Sequence, residues 1–369
     1  MKVNTISLNS VRLNTIALNH IGEIRSGGGG SKPSPIPQWI REHIVFYYDV
    51  KKQGATNETL KESAYLQDLS GKGRRMKLNN FLFAEMSGVG GYNDNFSNWK
   101  TDSNNGVVKI ESDSSIVIQS VKIEYRGALY QDGSKKATLK CNITGITEEL
   151  KGKLVFRYTD AEGSKNITLE NGYFEFNSSE YEGLSGWYGF TSKQPIDNCN
   201  ITITQIPEYP GALVTDGVDD YGLVENLSSG VKMLFMTVNP IGNFNSFKNY
   251  YSQMRNAANQ PFCVYSTPAG IAYNYSNLNG ITYIDGVLNE SIGCTKLWGL
   301  KHTITIVNDT VNPTNSGQPA FFSREEWRKG YYSKIAFYNS IAFDSIPTEA
   351  DGFTEQELID YVLTNIIGQ

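Results

Sequence analysis

The chain runs to 369 residues, with 33 Lys+Arg against 38 Asp+Glu, a formal charge of −5, and 19% charged residues beside 12% aromatic ones. That length holds two domains comfortably. The low charge, 22 Tyr and 35 Gly suit an outward-facing all-β protein rather than a helical bundle or a metabolic α/β enzyme. No Lys/Arg block is present to neutralise phosphates, which excludes nucleic acid as the expected partner.

The N-terminus has a period of five: Ile6-Ser7-Leu8-Asn9-Ser10, Val11-Arg12-Leu13-Asn14-Thr15, Ile16-Ala17-Leu18-Asn19-His20. A helical stripe needs an average spacing of about 3.6, and Asn and β-branched residues are poor helix formers. Short strand segments are expected over residues 1–25. They are too small to bury Ile6, Leu8, Val11, Leu13, Ile16, Leu18 and Ile21 alone, so these residues are expected to anchor the chain to another protein or to copies of itself. The start has no apolar export segment and the chain no run of roughly 18 apolar residues, so synthesis in a cytoplasm without a membrane span is expected. Residues 26–38 join a glycine run to alternating prolines, a tether that is flexible first and stiffer after.

From Trp39 the pattern is β, with runs such as Ile44-Val45-Phe46-Tyr47-Tyr48 and Leu154-Val155-Phe156-Arg157-Tyr158, and turn signals at Asp132-Gly133 and Asp285-Gly286. Further strands are expected near 107–110, 116–125, 137–143, 173–176 and 200–206. Thr354-Glu355-Gln356-Glu357 reads as a capping box opening a C-terminal helix whose Leu358, Ile359, Val362 and Ile366 share a face. A second helix is expected around 246–255. The four cysteines are isolated, with no CxxC pair and hence no zinc or redox motif, and a Cys141–Cys199 bridge stays open. Three scattered histidines offer no local triad or metal motif.

Three separated segments carry a resemblance. Ile44–Asp49 followed by Asp68-Leu69-Ser70-Gly71-Lys72-Gly73 and Leu78-Asn79-Asn80 is similar to the opening strand and Gly turn of laminin-G-like (concanavalin A-like) jelly-roll domains. Ala212-Leu213-Val214-Thr215-Asp216-Gly217-Val218-Asp219-Asp220-Tyr221 resembles a second strand motif of that family. Thr282-Tyr283-Ile284-Asp285-Gly286-Val287-Leu288 and Ser333-Lys334-Ile335-Ala336-Phe337-Tyr338-Asn339 resemble its late hairpin and closing strand. The first two motifs stand more than a hundred residues apart, so the resemblance implies a jelly roll interrupted by an inserted domain. The expected division is a 1–25 anchor, a 26–38 linker, a laminin-G-like domain over 39–100 and 209–369, and a small β-sandwich over 101–208.

Three sites are candidates. Asp216, Asp219 and Asp220 cluster beside a Gly turn, and hard carboxylate oxygens of this kind suit Ca2+, which the family can hold near a loop rim. For sugars, aromatic faces flanked by amides are required, which singles out Tyr273, Asn274, Tyr275 and Asn277, together with Trp187 and Tyr188 and with Tyr92 beside Asn93-Asp94-Asn95. Glu111-Ser112-Asp113-Ser114-Ser115 lacks the third acid of the jelly-roll glycosidase strand, so no catalysis is expected.

Anchor, missing export signal and jelly-roll motifs together resemble fibre or appendage proteins of tailed bacteriophages from gut bacteria. The resemblance implies a virion structural protein, a head or tail fibre or decoration subunit. It would be bound to other virion proteins through residues 1–25, trimeric, and would present its head to a host-surface glycan. A non-viral surface glycan-binding protein and a polysaccharide depolymerase are the alternatives.

Overall fold

A computed structural model describes residues 37–92, 94–136, 138–227, 230–242, 248–254, 261–267, 270–273, 281–289, 294–295, 297, 299–307, 319–323 and 331–368. The anchor residues Ile6, Leu8, Val11, Leu13, Ile16, Leu18 and Ile21 lie outside them. The fold is all-β with short helices, and the chain divides into two compact units. One is built from residues 1–83, 87–89 and 211–369, the other from 84–86 and 90–210. Residues 90–100, read from the sequence with the outer domain, belong to the inner unit, because Phe96 and Trp99 are buried in its core. No helix among the described residues is long and apolar enough to cross a membrane.

In the first unit, the described residues form two eight-stranded antiparallel sheets. One runs Val287–Leu288, Ile281–Ile284, His302–Val307, Met233–Gly242, Lys334–Phe343, Leu213–Val214 and Gly88–Val89, with Ile44–Asp49 also paired to Lys334–Phe343. The other runs Tyr65–Leu66, Met76–Asn79, Tyr221–Val224, Ala320–Phe321, Lys248–Met254, Pro261–Thr267, Gly270–Tyr273 and Cys294–Thr295. Their facing sides close over one apolar core that includes Phe46, Leu234, Ile304 and Phe337 from the first sheet and Met76, Val224, Tyr251 and Phe321 from the second. Period-two alternation puts the other residues of the first sheet, among them Tyr47, Phe235 and Ile341, on its back. There they pack on Trp39 and Ile40 of the Gln38–His43 helix and on the C-terminal helix.

That C-terminal helix forms where its capping box predicts it. Thr354 accepts from the Glu357 amide, the Glu357 carboxylate accepts from the Thr354 amide at 2.7 Å, and Leu358, Ile359, Val362 and Ile366 are buried. The helix expected over 246–255 is instead the strand Lys248–Met254. Its Tyr250 and Tyr251 are buried, and its backbone pairs on both sides with Pro261–Thr267 and Ala320–Phe321, so sheet pairing and burial override the local pattern. The turn at Asp285-Gly286 is a two-residue hairpin with φ of 52° and 82°, the left-handed pair that an Asp-Gly turn supplies.

The second unit is a sandwich of two five-stranded antiparallel sheets. One runs Gly172–Asn177, Thr138–Thr144, Ile201–Gln205, Ser115–Val121 and Gly106–Ser112. The other runs Gly163–Thr168, Leu154–Asp160, Trp187–Ser192, Leu129–Asp132 and Lys100–Thr101. Ile116, Ile118, Leu139, Cys141, Ile201 and Ile203 face Leu129, Leu154, Phe156, Tyr188 and Phe190 across the core. Cys141 and Cys199 are both free: Cys141 is buried in this core, and the Cys199 thiol donates to the Ile118 carbonyl at 3.3 Å.

Candidate functional site

The candidate pair Trp187-Tyr188 is split by the pleat. Tyr188 points into the core of the second unit, fully buried, with its hydroxyl donating to the Lys135 carbonyl at 3.3 Å. Burial pushes the Tyr188 phenol well above its ordinary range. Trp187, one step along, therefore lies on the opposite, outward side of the sheet and is partly exposed.

Strand register assembles a surface around it. Lys100 pairs with Tyr130, Tyr130 with Gly189, Gly189 with Arg157 and Arg157 with Asn166, so these five residues form one row across five strands. Because Leu129, Phe190, Phe156 and Tyr188 fill the inner face, this row faces out. The neighbouring row holds Asp132 paired with Trp187, and Thr159 paired with Ser164 through hydroxyls 3.1 Å apart. Trp187 and Tyr130 meet edge to face, with ring centroids 5.8 Å apart. Gly189, between Tyr130 and Arg157 in this row, is buried under its neighbours. A Cβ there would lie 2.3 Å from the Leu129 carbonyl oxygen and 2.6 Å from the Tyr130 Cα, so close strand approach demands glycine. The Arg157 guanidinium sits over the Tyr125 ring, 5.1 Å from its centroid, and Nη1 donates to the Asn166 side-chain oxygen at 3.4 Å. The Thr191 hydroxyl donates to the Arg126 carbonyl and the Tyr125 amide to the Ser192 carbonyl, which ties the segment carrying Tyr125 to the end of this sheet. The result is a shallow outward surface, the trough, bordered by Tyr130, Trp187 and Arg157, with Gly189 covered beneath it. Tyr130, Tyr125 and Arg157 were not among the sequence candidates. The signal for Arg157 was present, since one cation inside the apolar run 154–158 marks an outward position.

In the first unit, the acidic turn is a self-bonded loop. The Asp216 carboxylate accepts from the amides of Val218 (2.7 Å) and Asp219 (3.3 Å), and both φ at Gly217 and the chain reversal follow from this turn. Asp220 is buried. One oxygen accepts from the Ser87 hydroxyl at 3.0 Å and the other from the Asp216 amide at 2.8 Å. Burial, with added repulsion from Asp216 and Asp219, pushes the Asp220 carboxyl up to about 7. Carboxylate oxygens of Asp216, Asp219 and Asp220 all lie within 4.8 Å of one another. The donor set is hard oxygen and suits calcium in type. Both Asp220 oxygens and one of Asp216 accept from N–H and O–H donors within the turn and its neighbour Ser87. Tyr221 and Tyr332 lie beside it, with centroids 6.4 Å apart.

Tyr273 ends the strand Gly270–Tyr273, while Asn274, Tyr275, Asn277 and Asn93 lie outside the described residues. Asp94 is half-buried, accepting from the Trp99 indole at 2.8 Å, and burial raises its carboxyl above the usual range. Asp113 accepts from the Ser97 hydroxyl at 2.6 Å. No protein-family model, curated protein or solved structure matches the chain.

Proposed function

We propose that this protein is a glycan-attachment subunit, with the outward trough of the second unit as its binding surface. The observation that carries the reading is the placement of Trp187 and Tyr130 edge to face on the outward side of the sheet, in rows next to Arg157. Apolar ring faces accept the C–H face of a pyranose, and Thr159, Ser164, Asn166 and Arg157 supply hydroxyl-directed polar groups around them. A shallow site of this kind binds one sugar weakly, so useful affinity comes from several copies on one particle. That requirement agrees with the sequence expectation of a virion fibre or decoration subunit, trimeric and tethered through residues 1–25, whose first unit is a laminin-G-like jelly roll.

The reading assigns binding without catalysis. Asp220 has the raised proton affinity of a general acid, yet it is buried with both oxygens occupied and cannot reach a glycosidic oxygen. The test is affinity electrophoresis of the full chain through gels containing host-cell polysaccharides. Retardation that is lost in Trp187→Ala is expected. Migration unaffected by every polysaccharide would sink the proposal.

A further inference from the structure

We propose that the trough selects an acidic glycan, one whose sugar ring carries a carboxylate or sulfate; this rests on the glycan-binding reading above. The row places Lys100 on one flank of the Tyr130–Gly189 pair and Arg157 on the other. Neither cation has a carboxylate within ion-pair distance among the described residues. Elsewhere in the same unit, exposed lysines do find partners: Lys109 with Glu111 at 2.8 Å, Lys140 with Glu175 at 3.7 Å and Lys165 with Glu162 at 2.8 Å. Lys100 and Arg157 are thus among the cations of this unit without an ion pair in the described residues, and Lys100 acts on Asp132 only through space.

The acid on these two rows is Asp132, which is on the same outward face and lies close enough to Lys100 to feel its charge, but is held by its own turn. Its Oδ1 accepts from the Ser134 amide at 2.9 Å and from the Ser134 hydroxyl at 2.7 Å. Arg157 is fixed by stacking on Tyr125 and by its bond to Asn166, so little side-chain entropy is lost when it meets a ligand. A guanidinium has five N–H donors in a planar fork, and a carboxylate or sulfate accepts two in parallel. A pyranose stacked on Trp187 and Tyr130 would present an equatorial anionic substituent in the ring plane, toward Arg157 or Lys100.

The experiment measures retention of the full chain by polygalacturonate (carboxylate), dextran sulfate (sulfate) and dextran (neutral). Wild type is expected to bind one or both anionic polymers and not dextran. Binding should weaken about tenfold in Arg157→Gln, less in the edge-strand variant Lys100→Gln, and with rising salt. Thermal unfolding of both variants run in parallel guards against a folding defect. Which anionic polymer binds separates carboxylate from sulfate. Dextran bound as tightly as the anionic polymers, with Arg157→Gln unchanged, overturns the charge selection and leaves glycan binding standing. Anionic binding indifferent to both Arg157→Gln and Trp187→Ala is nonspecific and also overturns it. No retention by these polymers or by host polysaccharides overturns both readings.

Discussion

The Ser87 hydroxyl donates to the buried Asp220 carboxylate at 3.0 Å, across 133 positions of sequence. Through the second Asp220 oxygen, which accepts from the Asp216 amide, this bond ties the segment at 87 to the acidic turn at 216–220. A buried carboxylate so placed makes folding sensitive to pH, and the direction follows from the raised value. The folded carboxyl titrates near 7, whereas a free Asp titrates near 3.9. The folded state thus holds the proton more tightly, and stability from this group falls as pH rises between about 4 and 7 and levels off above. The full span corresponds to a loss on the order of 4 kcal/mol. Asp220→Asn keeps a neutral side chain in place, and the serine hydroxyl can turn to accept from the new amide. We expect the variant to be relatively more stable at pH 8 than at pH 5 when each is compared with wild type by urea unfolding. Equal differences at the two pH values would refute a titrating Asp220.

Trp187 and Tyr188 are neighbours with opposite fates, and truncation should separate them. Tyr188 packs against Phe156, Phe176 and Trp99 in the core, so Tyr188→Ala should cost about 3–5 kcal/mol. Trp187→Ala, on the outward face, should cost about 1 kcal/mol or less while abolishing polysaccharide retention. Denaturant midpoints of the two variants, read beside their gel migration, decide the matter.

Gly189→Ala tests the packing beneath the trough. The added methyl would meet the Leu129 carbonyl oxygen at 2.3 Å and the Tyr130 backbone at 2.6 Å, and backbone cannot swing aside as a flexible side-chain end can. We expect a loss of about 2–3 kcal/mol and weakened glycan retention, because Tyr130 must shift. An unchanged melting temperature would show that the two strands lie farther apart than this geometry has them.

Thr354→Ala removes the hydroxyl that accepts from the Glu357 amide at the start of the C-terminal helix. A loss of about 1 kcal/mol is expected. Hydrogen exchange at Glu357 and Leu358 should accelerate first, since the unprotected first turn frays before the sheets open.

Along the chain, the elements legible in advance were those determined by near neighbours. The Thr354–Glu357 box, the Asp285-Gly286 hairpin and the strand Ile44–Asp49 each rest on backbone preferences and contacts within a few residues. The apolar run 154–158 likewise marked a strand. The helix expected over 246–255 shows the limit, because partners at 261–267 and 320–321 decided that segment.

The sequence by itself thus determined an all-β chain with low charge, abundant aromatics and a capped C-terminal helix. Only tertiary structure decided which aromatics face outward. A strand's period of two says that Trp187 and Tyr188 differ, but which of them meets the core depends on the sheet stacked behind. The trough draws on five strands, from Lys100 to Trp187, and the Ser87–Asp220 bond joins segments with a whole folded unit between them in the chain. Such sites depend on strand register, which is set by the summed burial of both sheets and leaves no local trace at the residues it brings together.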